Sequence, residues 1–123
     1  MGNVTGIVLA GTCATLLLTG CGLIGGGNKD TICQQATVAF DRFASSVRSA
    51  PPTDKARWKQ SADAFAARMD ALAGQAEDAK LKKALQDESA DARTAGSALA
   101  TGDAAPLQRL VTATPARVGA ACA

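Results

Sequence analysis

The 123-residue chain contains no histidine and no tyrosine, and its only aromatic residues are three phenylalanines and one tryptophan. Without histidine, the chain lacks the commonest general base and a frequent metal ligand. It also lacks a Cys-x-x-Cys pair, a phosphate-binding glycine loop and a nucleophile elbow. We therefore expect a protein that is not an enzyme and that uses no metal or other cofactor.

Charge is missing from one end of the chain and nearly balanced overall. No side chain from Met1 to Ile24 is charged, and apolar residues at positions 7–10 and 16–18 make a segment of signal-peptide length. An uncleaved membrane helix is the alternative, because about 20 apolar residues span a bilayer; four glycines weaken it. The formal net charge of +2 is too small to indicate a nucleic-acid partner.

The apolar segment ends at Leu18, Thr19, Gly20 and Cys21. This stretch resembles the lipobox of bacterial lipoproteins, which consists of an aliphatic residue, two small residues and an invariant cysteine. It departs from such signal peptides in having no Lys or Arg near Met1. The resemblance implies that residues 1–20 are removed, that Cys21 carries a diacylglyceryl group, and that the protein is anchored in the cell membrane facing outside the cytoplasm.

Four cysteines support the same interpretation. Cys13 would leave with the signal peptide and Cys21 would carry the lipid, so that Cys33 and Cys122 remain. Two remaining thiols in an exported chain are expected to form a disulfide, although two unrelated buried thiols are the alternative. Such a bond would close nearly the whole mature domain, and loop entropy suggests about 4 to 5 kcal/mol of stabilisation.

After the signal peptide, the sequence indicates a short tether and one small domain. Residues 21–29 hold the lipidated cysteine and three consecutive glycines, and we expect a flexible spacer with a reach of about 15 Å. Residues 30–123 are rich in alanine, the best helix former, which also permits close helix approach. We therefore predict an all-α domain.

Apolar periodicity predicts two helices in the first half of the domain. Helix 1 begins at Asp30 or Thr31 and ends at the Pro51-Pro52 pair, because proline lacks an N–H donor and restricts the preceding residue. Helix 2 begins at Thr53 or Asp54 and ends at Gly74, where we expect a positive φ. The apolar stripes are Ile32, Ala36, Phe40, Phe43 and Val47 on helix 1, and Trp58, Ala62, Phe65, Met69 and Leu72 on helix 2.

Two further helices are predicted in the second half, each with an irregularity. Helix 3 spans about residues 75–101, and Glu88 interrupts its apolar stripe, which leaves a break near residues 86–89 open. A turn at Gly102-Asp103 precedes helix 4, where Pro115 is expected to kink or split the helix and Thr114 to cap any second half. The stripes are Leu81, Leu85, Ala92, Ala95 and Leu99, and then Leu107, Leu110, Val111, Thr114, Val118 and Ala121.

Four amphipathic segments with short turns favour an up-down-up-down bundle. In that topology Cys33, near the start of helix 1, and Cys122, at the end of helix 4, lie at the same end, which agrees with the predicted disulfide. With these cysteines, Cys21 and its composition, the domain resembles the small alanine-rich helical lipoproteins of actinobacteria. That resemblance implies a location and no mechanism.

Charged clusters on helix 3 are interpreted as solvated surface. Asp87, Glu88 and Asp91 share one helical face, where a bridging cation is the alternative to exposure. The three lysines that follow Asp78, which are Lys80, Lys82 and Lys83, are also expected to lie in solvent. Asp78 stands four residues before Lys82 and is placed to form an ion pair with it.

Two function classes remain. The first is a non-catalytic binding or adaptor module at the cell envelope, of which exclusion and immunity lipoproteins are examples, with an envelope protein or an anionic polymer as partner. The alternative is a carrier of a lipid or other apolar ligand, which needs a cavity near Trp58 and Phe65. For the adaptor, we predict that a basic tip far from the membrane meets the partner, through Arg48, Lys55, Arg57 and Arg109.

Overall fold

The computed structural model describes residues 27–123, which form four helices and, within that range, no strand. In chain order they are α1 (Lys29–Ser49), α2 (Lys55–Gln75), α3 (Ala79–Ala100) and α4 (Ala105–Cys122). The all-α prediction is confirmed. The lipobox, Cys21 and residues 1–20 lie outside the described residues. Within residues 27–123, no helix is both long enough and apolar enough to span a bilayer.

The four helices close into one bundle that a disulfide holds at one end. Each helix packs against the next in the chain, and α4 packs back against α1. Cys33 in the second turn of α1 is bonded to Cys122 at the end of α4, with their Cα atoms 6.1 Å apart. The predicted pairing and the predicted bundle are both confirmed. We call this the disulfide end, and the opposite end, with turns 50–54 and 101–104, the outer end.

Side-chain caps mark the starts of α2 and α3, and α3 begins at Ala79, four residues after its predicted start. Asp54 accepts a hydrogen bond from the Arg57 N–H (3.1 Å) and caps α2, as predicted. Asp78 caps α3 in the same way through the Leu81 N–H (2.8 Å). Helix α1, however, begins at Lys29, before the predicted caps. The preceding Asn28 turns to α2 instead, because its amide donates to the Gln75 carbonyl (2.7 Å).

The prediction that Gly74 ends helix 2 with a positive φ was wrong. Helix α2 continues through Gly74 to Gln75, and Ala76 ends it in extended backbone (φ −68°, ψ 130°). The chain can turn there without a left-handed residue because the Ala76 N–H still reaches the Leu72 carbonyl (2.9 Å). A positive φ does occur at Gly102 (88°), in the predicted turn after α3.

Helices α3 and α4 are both continuous, so neither the break near residues 86–89 nor the splitting of α4 occurs. Glu88 stays inside α3 because its carboxylate finds partners on α4. Pro115 lies within α4, and Thr114 does not cap a new helix. Its hydroxyl lies 2.7 Å from the Leu110 carbonyl one turn earlier, as is common for threonine inside a helix.

The predicted apolar stripes form the core, and the aromatic rings meet on its α1–α2 side. The Phe43 and Phe65 rings stack with centroids 4.7 Å apart, and Phe40 packs edge-on to Phe65 at 6.2 Å. Phe43 and Phe65 are buried, whereas Phe40, Val47 and Trp58 are half-buried at the margin of the core. The Trp58 indole donates to the Val47 carbonyl (3.0 Å), which ties α2 to the end of α1.

Candidate functional site

The four residues of the predicted basic tip lie at the outer end of the bundle. Arg48 is in the last turn of α1, Lys55 and Arg57 begin α2, and Arg109 is in the second turn of α4. Arg57 forms an ion pair with Asp54 (3.6 Å), and both side chains remain largely in solvent. Such an exposed pair is weak, about 0.2 to 1 kcal/mol. The fold thus brings these cations to one end, on three different helices.

An open groove runs between α1 and α2 from the outer end toward the disulfide end, and we call it the α1–α2 groove. Three arginines line it: Arg42 on α1, and Arg57 and Arg68 on α2. Among the residues that line it, none is acidic. Arg57 is therefore part of both the predicted tip and this groove. The other lining residues are glutamines and serines above a floor of Val38, Ala39, Phe43, Ala64 and Phe65.

Hydrogen bonds cross the floor of this groove at two levels. The Arg68 guanidinium donates to the Gln35 side-chain oxygen (3.0 Å), nearer the disulfide end. The Ser61 hydroxyl donates to the Ser46 hydroxyl (3.0 Å), nearer the outer end. Arg42 has no ion-pair partner among residues 27–123. Polar contacts thus join the two walls of the groove, while Arg42 and Arg68 have no ion-pair partner among residues 27–123.

A second open groove lies between α1 and α4, beside the disulfide. Its lining is mostly apolar and includes Phe40, Pro115, Val118 and both bonded cysteines. Val38 borders both grooves, and it is the one large apolar side chain of residues 27–123 that is strongly exposed (56%). Helix α1 therefore presents apolar surface on both of its flanks.

The residues around which a carrier was expected to hold its ligand belong to the packed core. The rings of Phe40, Phe43 and Phe65 contact one another, and Trp58 packs half-buried against the core cluster. The buried atoms of Met69 and Leu72 complete the packing in the same core cluster. An apolar ligand would have to displace these side chains or lie in the open α1–α4 groove.

Glu88 is a buried carboxyl, which corrects the expectation that it belongs to a solvated acidic face. Its side chain is 1% exposed. One carboxyl oxygen lies 2.6 Å from the Thr114 hydroxyl, and the other lies 2.8 Å from Arg117 Nε, although that N–H is not directed at it. Removal from water raises the pKa of Glu88, and the Thr114 hydroxyl and Arg117 only partly oppose this shift.

The remaining charged residues of α3 are at the surface, as expected, but with different partners. Asp87 pairs with Lys83 (3.2 Å), and Asp91 pairs with Arg117 (2.7 Å). Asp78 caps α3 and does not pair with a lysine, whereas Lys80 donates to the Ala120 carbonyl (3.3 Å). Within residues 27–123, no three acidic or cysteine side chains gather in a way that could hold a metal ion.

Sequence reasoning missed Arg42 and Arg68 as members of a common surface. A signal was present, because Arg57 and Arg68 stand 11 residues apart, which is about three helical turns and so one face of α2. Ser61 and Ala64 lie between them on that face. The spacing of these polar residues along α2 therefore predicts one side of the groove.

Comparisons with protein families, curated proteins and solved structures find no match for this chain.

Proposed function

We propose that this protein is an exported lipoprotein, held at the outside of the cell membrane by a diacylglyceryl group on Cys21, whose helical domain is a non-catalytic binding or adaptor module. The observation that supports export most directly is the Cys33–Cys122 disulfide. Disulfides persist in oxidising compartments and are rare in the cytosol of most bacteria. A chain with this bond therefore fits the lipobox-like residues Leu18, Thr19, Gly20 and Cys21.

The position of the bond also suits an anchor at Cys21. Cys21 precedes Cys33 by 12 residues, and Cys33 lies in the second turn of α1 at the disulfide end. A lipid on Cys21 would hold that end within about 15 Å of the bilayer. The outer end, with Arg48, Lys55, Arg57 and Arg109, would then face away from the membrane and be free to meet an envelope protein or an anionic polymer.

The surface supports binding rather than carriage. Phe65 belongs to the core cluster and Trp58 packs against it, while the α1–α2 groove is open and combines three arginines with an apolar floor. Exposed apolar surface rimmed by polar residues is typical of protein interaction sites. An adaptor that docks on a receptor or channel, as exclusion and immunity lipoproteins do, would use such a surface.

The second candidate is a carrier of an apolar ligand, and the α1–α4 groove is the observation that favours it. A carrier would bind a fluorescent fatty acid saturably with about one ligand per chain. Titration of the purified chain decides between the two candidates, because an adaptor shows no saturable uptake.

Metabolic labelling tests the anchor. A bacterium that expresses the chain is fed an alkyne-tagged fatty acid, and the protein is isolated and coupled to a dye. The wild type should carry the label and Cys21→Ser should lose it, because the thiol is the acceptor. Cys13→Ser is the matched control and should keep the label. Full labelling of the Cys21→Ser chain in the membrane would show that the anchor lies elsewhere.

A further inference from the structure

We propose that the α1–α2 groove binds an acidic amphipathic helix of a partner protein. This inference rests on the proposed function as a binding module and adds the chemistry of its partner. The shape of the groove is the first observation. It extends along α1 from Gln34 to Ser49, a span of 15 residues or about 22 Å, and α2 forms its other wall. The groove between two neighbouring helices is concave, and an amphipathic third helix can bind in it.

The floor of the groove selects an apolar stripe. Val38 exposes 56% of its surface, and the exposed Ala64 faces the same groove from α2. The stacked rings of Phe43 and Phe65 lie directly beneath and make the floor rigid. A partner helix with apolar residues at spacings of three and four would cover this floor and remove it from water.

The charges of the groove select acidic flanks on that helix. Arg57 and Arg68 stand about three turns apart on α2, and Arg42 lies between them along the opposite wall. No lining residue is acidic, and Arg42 has no ion-pair partner among residues 27–123. Arginine donates two parallel hydrogen bonds to a carboxylate, so glutamates on both sides of an apolar stripe would complement Arg42 and Arg68 and would compete with Asp54 for Arg57.

The apolar floor and the arginines of the groove together favour a helix over other anionic partners. A polyphosphate chain would satisfy the arginines and leave Val38 and Ala64 exposed. A second copy of this chain would have to present its own acidic face, and it would be seen as a dimer in solution. These two occupants are outcomes of the test.

The test measures binding of a synthetic peptide to the full chain as isolated from its bacterium, held on a plasmon-resonance sensor through a C-terminal tag at the disulfide end. The probe is a helical 18-residue peptide with leucines on one stripe and glutamates on both flanks. One control peptide has lysines in place of the glutamates, and another has the same composition without the stripe. Inorganic polyphosphate is the competitor, and light scattering gives the oligomeric state.

The striped acidic peptide should bind, and the two control peptides should bind at least about tenfold more weakly. The double variant Arg42→Gln/Arg68→Gln should weaken binding at least about tenfold, and Val38→Asp should do the same. The matched control Lys80→Gln/Lys83→Gln removes the same charge from α3, outside both the groove and the predicted basic tip, and should change affinity less than about twofold. The double variant Arg48→Gln/Arg109→Gln is measured beside it and tests the basic tip. All these side chains are exposed, and thermal unfolding confirms that each variant is folded.

Several results would overturn the inference. Equal losses in Arg42→Gln/Arg68→Gln and in Lys80→Gln/Lys83→Gln would indicate general attraction to the positive surface, and a loss confined to Arg48→Gln/Arg109→Gln would assign binding to the basic tip. Tight polyphosphate binding with none of the peptide would assign the groove to a polymer, and a dimer that hides Val38 would assign it to a second copy. No binding of the striped peptide would also refute it. The sensor measurement does not depend on the lipid. A chain that fails to bind the striped peptide therefore does not refute the Cys21 anchor, and a chain that binds the peptide but carries no lipid label does not refute the groove.

Discussion

The contact between α2 and α3 is close and made by small side chains, whereas the contact between α1 and α4 is open and held by a disulfide. Along the first, small side chains let the backbones come close, and Gly96 lies so near α2 that a Cβ there would be 2.6 Å from Asp63 Oδ1. Along the second, the helices border an open groove and are joined by the Cys33–Cys122 bond. The large ring of Phe40 lines this groove from α1, and side-chain size sets the distance between helix axes. A covalent link holds α1 where packing is weak.

The largest expected effect comes from removing that link. The double variant Cys33→Ser/Cys122→Ser should lower the free energy of unfolding by about 4 to 5 kcal/mol, because the bond closes a loop of 89 residues. Urea unfolding of wild type and variant measures this loss, and reduction of the wild type should reproduce it. Hydrogen exchange should accelerate in α1 before α3. A loss below about 1 kcal/mol, or equal acceleration in all four helices, would contradict the comparison.

The next effect concerns the buried carboxyl between α3 and α4. Arg117→Gln should cost about 2 kcal/mol where Glu88 is ionised, because it leaves the buried carboxylate with less compensation, while the exposed half of Arg117 limits the loss. The cost should shrink as the pH falls through the raised pKa of Glu88, because protonation removes the buried charge. Urea unfolding of wild type and variant over a series of pH values measures both.

The sign of the wild-type pH dependence follows from the same residue. Burial raises the pKa of Glu88 in the folded state above its ordinary value of 4.5, so the folded protein binds the proton more tightly than the unfolded chain. Stability should therefore rise as pH falls through the raised pKa toward 4.5, and Glu88→Gln should flatten that rise. The bond from Arg93 lowers the pKa of Asp70, whose contribution is lost only below its ordinary 3.8. Stability that falls as the pH is lowered toward 4.5 would contradict the assignment.

The smallest expected effect is the difference in stability gained by replacing one glycine at each helix contact, Gly119 between α1 and α4 and Gly96 between α2 and α3. Gly119 borders the α1–α4 groove, and a Cβ there would meet nothing within 4 Å, whereas a Cβ at Gly96 would press on Asp63. Gly119→Ala should stabilise the protein by about 0.5 to 1 kcal/mol, the helix propensity difference. Gly96→Ala should gain clearly less, since Asp63 must shift from Lys59. Thermal unfolding of both variants gives the difference, and equal gains would mean that the α2–α3 contact is not close.

Much of this fold could be predicted from sequence because the deciding signals are local. The Pro51-Pro52 pair ends α1, Asp54 caps α2 and Gly102 turns the chain after α3. The cysteine pair then tests the topology, since only certain helix orders bring residues 33 and 122 together. Capping and proline chemistry depend on a few neighbouring residues, so they can be read without the tertiary structure.

The features that could not be predicted depend on partners far along the chain. Glu88 interrupts an apolar stripe, yet α3 is unbroken because the side chains of Arg117 and Thr114 on α4 contact the Glu88 carboxyl. Gly74 resembles a helix terminator, yet α2 continues to Gln75. The α1–α2 groove needs the relative rotation of two helices before Arg42 and Arg68 can be seen on one surface.

Export, anchoring at Cys21 and the disulfide can be checked together by measuring the intact mass of the protein isolated from its native membrane. The isolated chain should begin at Cys21, carry a diacylglyceryl group and be about 2 Da lighter than the reduced form, because the thiols of Cys33 and Cys122 each lose one hydrogen on bonding. Reduction should add those hydrogens and leave the lipid in place. A chain that still begins at Met1 without lipid, or one with two free thiols, would contradict an exported, lipid-anchored protein.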